Sequence, residues 1–541
     1  MARVVAIGIQ DFAALRQDDL FYVDKTEFLR TWWLSQDKVT VLTRPHRFGK
    51  TLMLSTIERF FSSRFTDQAV LFQGLHVWQE TLIRALAGSL PVIFLSLADF
   101  KPVNEAEALL TFKAKLKSLL DRFAYLYESV QVDAHIRQKL KAFNCASDDE
   151  ATATTLATLC LALTQHHGTR PVLLIDEYDA LYQEACRHGY WSKIVKRIET
   201  WSRATFIENQ ALGRALLVGI TSVEARLNLE PSTAVVNLRT PRYERAFGFT
   251  LGEVRAALTE YDLMSRFDEV QNWYEGFRFG FGQQGELYNP WSIIHFLRYR
   301  TRGLHWFQAG PVHYLDRLLS LSDASVKSNF EALIRGEQIV VSYEKASIWQ
   351  LLVSTGYLKI VSKAPSGAYQ LQLTNYEVQL GFENMIRCWF DTGSGALSDF
   401  VIALLACDID ALNACMTQMV KERFSFFDAT GRTPENFYHG FVLGMLVQLK
   451  DRFLVSSNRE SGYGRYDVML EPKNPRHDDA YILEFKVRQP GREATLKETL
   501  LNAKLQITAK AYDRELVKRG IEKRRIHALG IVFDQKKVLI G

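Results

Sequence analysis

Residues 44–51 read Arg-Pro-His-Arg-Phe-Gly-Lys-Thr and decide the fold of the first half of the chain. They follow the short β-rich run 38–43 and precede a helical pattern. The phosphate-loop pattern GxxxxGK[ST] requires this order of strand, turn and helix. Residues 49–51 match the end of that pattern, whereas Arg44 stands where its first glycine is expected. The stretch therefore predicts a loop whose backbone N–H groups wrap round a phosphate.

Three residues of this loop supply what a bound nucleoside triphosphate needs. Gly49 belongs to the phosphate-wrapping turn, Lys50 can reach the β and γ oxygens, and the Thr51 hydroxyl can bind Mg²⁺. Arg44 leaves two alternatives open, because it either adds positive charge or only begins the loop in a different way. A GK[ST] tripeptide is common by chance, so a second motif is needed.

The second motif follows another apolar run. Residues 171–175 (PVLLI) lead directly into the acidic stretch 176–179. An Asp at the end of such a strand can hold the Mg²⁺, and the Glu beside it can polarise the attacking water. We assign these roles to Asp176 and Glu177. The alternative is that the acidic residues only cap the helix that begins near Ala180.

Apolar runs alternate with helical patterns through the first 250 residues, which predicts a parallel sheet with helices on both faces. Thr221 follows the last of these runs and is a candidate sensor for the γ-phosphate. Residues 251–425 are rich in Leu, Ala and aromatic residues at helical spacing, so we expect a mostly helical middle region. The apolar runs are 38–43, 91–97, 171–175 and 215–220.

Two alternating runs near the C-terminus, 465–471 and 480–487, predict a hairpin within a small α/β unit. Alternation places Glu484 and Lys486 on one face, with Asp467 in the middle of the facing strand. The two carboxylates can hold Mg²⁺ or Mn²⁺, and Lys486 can activate a water and offset phosphate charge. The alternative is a half-exposed hairpin with ordinary surface charges, because E-x-K is a common tripeptide.

Flanking segments add polar groups to this hairpin. A helical pattern over 435–450 begins with Glu435, which can reach the metal as a further ligand. A later helical pattern, 494–517, carries Gln506 and Lys510 on one face at i, i+4 spacing.

Composition limits the compartment and the partners. Hydrophobic residues make up 47% and charged residues 23%, which is an ordinary globular balance. The net charge of +5 is small for 541 residues, so charge alone does not indicate a nucleic-acid partner. Six cysteines include no CxxC pair, which argues against a structural zinc site and fits a reducing cytosol. No leader peptide or membrane span is expected, and we predict a cytoplasmic protein.

In combination, the motifs resemble the bacterial AAA-ATPase-like family, whose members often carry a C-terminal PD-(D/E)XK nuclease-like domain. The segments that carry the resemblance in the first half are YVDKT (22–26), RPHRFGKT (44–51), LIDEYDAL (174–181) and AFGFT (246–250). Three middle segments fit as well: WYEGFRFG (273–280), YNPWSI (288–293) and STGYL (354–358). The nuclease-like segments are ENFYHGFVLGML (435–446), SNRESGYGRYDV (457–468) and YILEFKV (481–487).

The resemblance implies a P-loop AAA-like ATPase domain at 1–250, a mostly helical middle or lid region at 251–425 and a restriction-endonuclease-like PD-(D/E)XK domain at 426–541. It also implies that Arg44 is the usual first residue of the loop in this family. The expected ATP-binding residues are Arg47, Gly49, Lys50, Thr51 and Asp176, with Glu177 catalytic and Thr221 supporting. The expected nuclease residues are Asp467, Glu484 and Lys486, supported by Glu435 and Gln506.

One position departs from the family. Members often have Arg or Lys after the strand-end Thr, where this chain has Ser222. The missing cation puts a basic sensor at that point in doubt. Arg226, Arg239 or Arg242 can substitute, and the sequence does not choose among them.

The leading hypothesis is an ATP-regulated nuclease that depends on Mg²⁺ or Mn²⁺, with DNA favoured over RNA. ATP binding would reposition the middle region and gate the metal site. The alternative is an NTP-driven switch or binding module that holds nucleic acid without cutting it. A third hypothesis is an ATPase that remodels proteins. Homo-oligomerisation, the substrate form and the direction of the ATP effect stay open at this point.

Overall fold

The computed structural model describes residues 2–222, 229, 233–280, 285–310, 324–342, 348–390, 396–423, 442, 446, 449, 452–457, 460–461, 464–465, 467–475, 478–489, 491–534 and 537–541. The described residues pack into two compact units. Unit 1 comprises Met1–Gly310 and Val340–Val378, and unit 2 comprises Pro311–Ile339 and Gln379–Gly541. The proposed middle region 251–425 therefore contributes residues to both units.

Seventeen strands lie within the described residues. They are β1 Val39–Thr43, β2 Val92–Ser96, β3 Val172–Asp176, β4 Arg214–Gly219, β5 Ala234–Val236, β6 Glu275–Phe277, β7 Leu287–Tyr288, β8 Ile339–Val341, β9 Leu358–Lys363, β10 Tyr369–Leu373, β11 Phe453–Ser457, β12 Glu460–Ser461, β13 Gly464–Arg465, β14 Val468–Pro472, β15 Ala480–Val487, β16 Ile526–Asp534 and β17 Lys537–Ile540.

The α-helices of the described residues surround these strands. They are α1 Phe12–Gln17, α2 Glu27–Leu34, α3 Lys50–Phe61, α4 Gln68–Phe72, α5 His76–Gln79, α6 Thr81–Arg84, α7 Glu105–Asp121, α8 Ala134–Ala142, α9 Asp149–His167, α10 Ala180–Arg187, α11 Trp191–Ser202, α12 Leu251–Glu260, α13 Phe267–Tyr274, α14 Pro290–Tyr299, α15 His305–Gln308, α16 Ala324–Ile334, α17 Ile348–Ser354, α18 Tyr376–Phe390, α19 Ala396–Leu405, α20 Ile409–Arg423, α21 Leu496–Lys510 and α22 Arg514–Lys518.

Unit 1 is built on a five-stranded parallel sheet in the order β2-β3-β4-β1-β5. Every residue of β1 and β3 is buried. Helix α3 packs on one face, and α7, α8, α9 and α11 share a core with the other. Each fully buried Val, Leu or Ile side chain contributes about 1.5–3 kcal/mol relative to exposure, so a sheet covered on both faces requires apolar runs. The predicted α/β sheet is confirmed.

The longest uncharged run of the sequence, 151–169, lies mostly in α9. Asp148 caps this helix by accepting a hydrogen bond from the Ala151 N–H, and Gly168 ends it with φ +69°. Eight residues of α9 are buried, and most of the apolar ones belong to the core of unit 1. Within the described ranges, no helix is long and apolar enough to cross a membrane.

The middle of the chain is mostly helical, as predicted, but it also contains two small sheets. Strands β6 and β7 pair in one, and the order of the other is β8-β10-β9. Helix α12 begins with a capping box, in which the Thr250 hydroxyl accepts from the Glu253 N–H and the Glu253 carboxylate accepts from the Thr250 N–H. This pairing fixes the start of α12.

Unit 2 contains a second five-stranded sheet, β11-β14-β15-β16-β17. Strands β15 and β16 are parallel and the other pairs are antiparallel. Helices α19 and α20 cover one face of this mixed sheet, and α21 and α22 cover the other. The predicted small α/β unit with a central hairpin is confirmed as β14 and β15. Most of the predicted helix 435–450, with Glu435 at its start, lies outside the described residues.

The predicted position of Asp467 within its strand is wrong. Strand β14 begins one residue later, and its register pairs Val468 with Leu483. Asp467 Oδ2 accepts a hydrogen bond from the Phe485 N–H at 2.8 Å. Asp has a low preference for strands, because its side chain competes for backbone N–H groups. Asp467 therefore lies at the end of the hairpin, beside the middle of β15.

Candidate functional site

The loop between β1 and α3 has the backbone shape that a phosphate requires. Arg47 has φ +59° and Gly49 has φ +84°, both in the left-handed region. Left-handed residues in such a turn bring successive N–H groups to one concave side, which attracts anions. Helix α3 begins at Lys50, so its own free N–H groups lie at the same concavity.

Lys50 lies inside this loop. Its Nζ donates hydrogen bonds to the carbonyl oxygens of Arg44 at 3.0 Å and Pro45 at 2.7 Å. Burial lowers the pKa of Lys50 to about 8, and the nearby carboxylate of Asp176 opposes that change. The ammonium is therefore held among acceptors that phosphate oxygens can replace.

Arg44 plays the second of the two roles that its position allows. The side chain is fully buried, and the guanidinium donates to the carbonyl oxygens of Thr43 at 2.9 Å and Tyr243 at 3.2 Å. Its Cζ lies 4.5 Å from the centroid of the Phe279 ring. Burial lowers the pKa of Arg44 to about 9. Arg44 thus fixes the start of the loop and does not line the neighbouring cavity.

Thr51 and Asp176 meet although they lie on different elements. The Thr51 hydroxyl donates to Asp176 Oδ2 at 2.8 Å, which joins the first turn of α3 to the end of β3. Asp176 is 1% exposed, and burial raises its pKa. Its Oδ1 is buried and has no hydrogen-bond partner among the described residues. Two oxygen groups that suit a hard cation are thus adjacent.

Glu177 follows in an unusual backbone conformation. Its φ of +52° is rare for a residue with a side chain and costs about 1–3 kcal/mol, and such strain concentrates at functional sites. Glu177 lines the same cavity as Lys50 and Thr51. Burial and then the charge of Asp176 raise the pKa of Glu177, which moves it toward the range of a general base at neutral pH.

Thr221 lies at the same edge of the sheet, after β4, which separates β1 from β3. The buried Asp179 holds this segment, because its Oδ2 accepts from the N–H groups of Ile220 at 3.0 Å and Thr221 at 2.6 Å. Gln183 Nε2 donates to Thr221 Oγ1 at 2.9 Å. Thr221 therefore lies at the sheet edge that carries the phosphate loop, and its hydroxyl accepts a hydrogen bond from Gln183.

The packing of Asp179 leaves no room for a side chain at Gly219. A Cβ there would lie 2.4 Å from Asp179 Oδ1. We expect Gly219→Ala to lower the free energy of unfolding by about 1–3 kcal/mol, measured by denaturant titration. Gly252→Ala, in α12, is the matched control because a Cβ there meets nothing within 4 Å. It should leave stability unchanged or raise it by less than about 1 kcal/mol. Equal losses in both variants would contradict this packing.

Two of the three candidates for a basic sensor, Arg239 and Arg242, lie within the described residues. Arg242 forms an ion pair with Asp37, and its Cζ lies 4.8 Å from the centroid of the Tyr243 ring. Arg239 is exposed, and Arg226 lies outside the described residues. The geometry selects none of the three.

The C-terminal hairpin brings four predicted residues together. Glu484, on β15, is 2% exposed, and its Oε1 accepts a hydrogen bond from Gln506 Nε2 on α21. Lys486 is half-buried two residues further along the same strand, on the same face. Asp467 reaches this place through its hydrogen bond to the N–H of Phe485, the residue between them. The remaining predicted residue, Glu435, lies outside the described residues.

Tyr512, which follows α21 in the sequence, joins this group through Gln506. Its hydroxyl lies 3.5 Å from Gln506 Nε2, and the side chain is 1% exposed. Burial raises the pKa of Tyr512, and the negative charges of Glu484 and Asp467 add to the increase. Helix α21 ends at Lys510, and its C-cap residue Ala511, directly before Tyr512, has φ +51°. No periodicity signals such a cap.

Two comparisons with protein families fit this geometry. Residues 6–226 match the family model of a predicted AAA-ATPase, and residues 433–541 match that of the PD-(D/E)XK nuclease superfamily. The chain joins an AAA-ATPase-like domain to a PD-(D/E)XK nuclease-superfamily domain. Both parts of the predicted architecture are confirmed.

Two further similarities cover the chain more broadly. An uncharacterized protein in the vnfD 5' region of Azotobacter chroococcum mcd 1 is 26% identical over 98% of this chain and 96% of that relative. The solved structure of Can2 from Sulfobacillus thermosulfidooxidans, in complex with cyclic tetra-adenylate, covers 68% of this chain and 87% of that chain. Its sequence identity is 9% and its TM-score is 0.14, a likeness too weak to bear on fold or function.

AAA-ATPase-like and PD-(D/E)XK nuclease domains generally use divalent metals, and both matched parts of the chain present suitable donors. In the AAA-ATPase-like domain these are the Thr51 hydroxyl and the buried, unpartnered Oδ1 of Asp176. In the PD-(D/E)XK domain they are the carboxylates of Asp467 and Glu484. Oxygen ligands of this kind suit Mg²⁺ and Mn²⁺. Within the described ranges, no group of three or more His, Cys, Asp or Glu residues is arranged to hold a metal ion.

A cavity of about 440 Å³ lies along the phosphate loop of the AAA-ATPase-like domain. Its volume is within the range of small-molecule sites. The lining combines charged residues of both motifs with apolar residues from the N-terminal and middle segments. The charged and polar ones include Arg47, Lys50, Thr51, Asp176 and Glu177, and the apolar ones include Ile9, Phe21, Val23, Leu52, Phe249 and Ile294. This mixture suits a ligand with an anionic end and a flat apolar end.

Side chains of the phosphate loop are held by later segments of unit 1. The His46 ring stacks on the Trp306 ring with centroids 4.5 Å apart, and Trp306 Nε1 donates to the His46 carbonyl at 2.9 Å. Phe48 packs edge-on against Phe277, within the segment 273–280. Burial lowers the pKa of His46 to about 3, so this imidazole is neutral at physiological pH. The middle segments thus form the outer support of the loop.

A buried acid that the sequence analysis did not single out completes this support. Glu377 is fully buried and accepts hydrogen bonds from the Ser292 hydroxyl at 2.7 Å and the Trp306 N–H at 2.6 Å. A third bond comes from the Phe307 N–H at 3.2 Å. Burial raises the pKa of Glu377 to about 7.

Glu377 predicts a pH dependence of stability. The folded state keeps its proton up to about pH 7, whereas an unfolded Glu releases it near pH 4.3. Between these values the folded state binds more protons, so the free energy of unfolding falls as pH rises. We expect wild type to lose about 3 kcal/mol relative to Glu377→Gln between pH 4.5 and 7.5. Urea titrations at both pH values measure this, and parallel pH profiles of the two proteins would contradict it.

Proposed function

We propose that the protein binds and hydrolyses ATP in its AAA-ATPase-like domain and cleaves nucleic acid in its PD-(D/E)XK domain, with the ATP state gating cleavage. The main support for the proposal is that one chain contains two independent candidate sites. In one, the Thr51 hydroxyl donates to Asp176 near Lys50. In the other, Glu484 accepts from Gln506, and Asp467 accepts from the N–H of Phe485, the residue between Glu484 and Lys486.

In the first site each residue has a proposed role. The amides of the loop around Gly49 hold the β-phosphate, and Lys50 offsets charge on the β and γ oxygens. Thr51 and Asp176 would hold Mg²⁺, which would supply neutralising charge to the transferred phosphoryl group. Glu177 accepts a proton from the attacking water.

In the second site Asp467 and Glu484 hold Mg²⁺ or Mn²⁺, with Glu435 as a further proposed ligand. A metal held there would supply Lewis-acid polarisation of the phosphodiester and of a water. Lys486 orients that water and offsets phosphate charge. Gln506 fixes the Glu484 carboxylate, which keeps the ligand in one orientation.

The proposed substrate is DNA, favoured over RNA, and the proposed setting is the cytoplasm. The proposed gate is the group of middle segments that support the phosphate loop through His46 and Trp306. A change in the loop on ATP binding or hydrolysis would move this support, and the activity of the second domain would change with it.

The test is a cleavage assay on plasmid DNA, single-stranded DNA and RNA, with Mn²⁺ or Mg²⁺ and with and without ATP. We expect metal-dependent cleavage that stops on chelation and that ATP alters. Salt-sensitive binding of nucleic acid without cleavage under any condition would support the switch or binding-module alternative.

A further inference from the structure

Arg47 differs from the other cations near the phosphate loop. Its Cζ lies 4.2 Å from the centroid of the Trp291 ring, and both residues line the cavity with Lys50. No carboxylate forms an ion pair with Arg47 within the part of the chain that the structure describes. An aromatic face is therefore the main contact of an exposed guanidinium at the wall of the nucleotide cavity.

The neighbouring cations are engaged elsewhere. Lys25 also lines the cavity, but its Nζ donates to Glu253 Oε2 at 2.7 Å and to the Arg245 carbonyl at 2.8 Å. Arg44 is bound to backbone carbonyls. Lys50 donates hydrogen bonds to carbonyl oxygens of the phosphate loop. Arg47 is therefore the cation at the cavity wall whose present contact, with the Trp291 ring, is easily exchanged.

The position of the phosphate loop indicates which phosphate Arg47 can bind. Amides of the turn and of α3 serve the β-phosphate, which ADP and ATP share. The charge that only ATP adds lies on the third phosphate. A planar guanidinium can bind two phosphate oxygens at once, and such a charge-assisted contact is stronger than a cation–π contact at an exposed site. A triphosphate would therefore draw Arg47 from the ring, and a diphosphate would leave it there.

We propose that Arg47 is the residue that distinguishes ATP from ADP, by exchanging its contact with the Trp291 ring for one with the third phosphate. The inference rests on the proposed function, because it requires nucleotide binding in this cavity. Arg47 would supply the basic group that Ser222 does not provide after β4.

Trp291 is suited to be the fixed partner in this exchange. Its Nε1 donates to the His305 carbonyl at 3.1 Å, and its N–H donates to Asn289 Oδ1 at 2.8 Å. The ring also lies 4.8 Å from the ring of His295. Because the indole is held in place, departure of Arg47 changes the electrostatic surroundings of the ring without moving it. Tryptophan fluorescence can report such a change.

The test compares the Kd values of ADP and of the non-hydrolysable analogue β,γ-imido-ATP in the full chain with Mg²⁺. We expect Arg47→Ala to weaken the analogue by about tenfold or more and ADP by less than about threefold. Arg47→Lys should recover part of the loss, since it keeps the charge but not the fork. Arg298→Ala, an exposed position on α14, is the matched control and should change neither Kd.

Fluorescence adds a readout that a structural role would not move. In wild type the analogue should change the tryptophan emission more than ADP does, and this difference should vanish in Arg47→Ala and in Trp291→Phe. Equal weakening of both nucleotides by Arg47→Ala would overturn the inference while leaving ATP binding intact. Failure of wild type to bind either nucleotide would overturn the proposed function, and the inference with it.

Discussion

Lys50→Ala is expected to weaken ATP binding about a hundredfold and to abolish hydrolysis. Removing one partner of a desolvated, hydrogen-bonded charge pair costs about 2–5 kcal/mol, and about 3 kcal/mol corresponds to that change in Kd. The ammonium already lies within the loop, bound to two carbonyl oxygens, so it needs little rearrangement to meet phosphate oxygens. Titration calorimetry with ATP and a phosphate-release assay measure the two effects.

Lys38→Ala is the matched control for this loss. Lys38 precedes β1, at the end of the strand opposite the loop, and its Nζ donates to the Asn209 carbonyl at 3.2 Å. ATP affinity within about twofold of wild type is expected there. If Lys50→Ala bound ATP as tightly as Lys38→Ala, the proposed phosphate site would be wrong.

Lys486→Ala is expected to slow nucleic-acid cleavage by about 10²–10⁴-fold while nucleic-acid binding persists. That range is typical for the loss of a positioned group that assists proton transfer in the transition state. The half-buried Lys486 lies on the face of β15 that carries Glu484. A group needed only during bond breaking lowers the turnover rate and leaves the bound complex largely intact. Single-turnover cleavage and a salt-dependent shift assay separate the two quantities.

Lys473→Ala controls for the loss of one positive charge from the same hairpin. It is exposed just after β14, at the end of that strand opposite Asp467. Cleavage at the wild-type rate is expected in this variant. An equal slowing in Lys473→Ala and Lys486→Ala would indicate general charge attraction and not a role at the reacting bond.

The sheets could be predicted because burial on both faces leaves continuous apolar runs in the sequence. The four apolar runs of the first half, such as 171–175, are strands β1 to β4 in the structure. Strand β5 could not be predicted, because three residues at a sheet edge carry no readable pattern. The proximity of Thr51 and Asp176 follows from motif order alone, since the carboxyl ends of parallel strands meet at one edge.

Other parts of the site depend on contacts that sequence spacing does not encode. His46 and Trp306 are 260 positions apart, and Ser292 and Glu377 are 85 positions apart. The role of Arg44 depends on carbonyl groups near residue 243. Asp467 lies just before β14, and not in the middle of a strand as predicted, because its carboxylate accepts a hydrogen bond from a backbone N–H across the hairpin. Each of these outcomes is decided by tertiary packing, which overrides local preference.

In the proposed function, the ATP state controls cleavage by the second domain. The initial cleavage rate as a function of ATP concentration, in wild type and in Lys50→Ala, measures this control. Free Mn²⁺ is held constant in this assay, because ATP itself binds divalent cations. We expect ATP to change the wild-type rate and to leave the Lys50→Ala rate unchanged over the same concentrations. A wild-type rate that ignores ATP, or the same ATP response in both proteins, would contradict it.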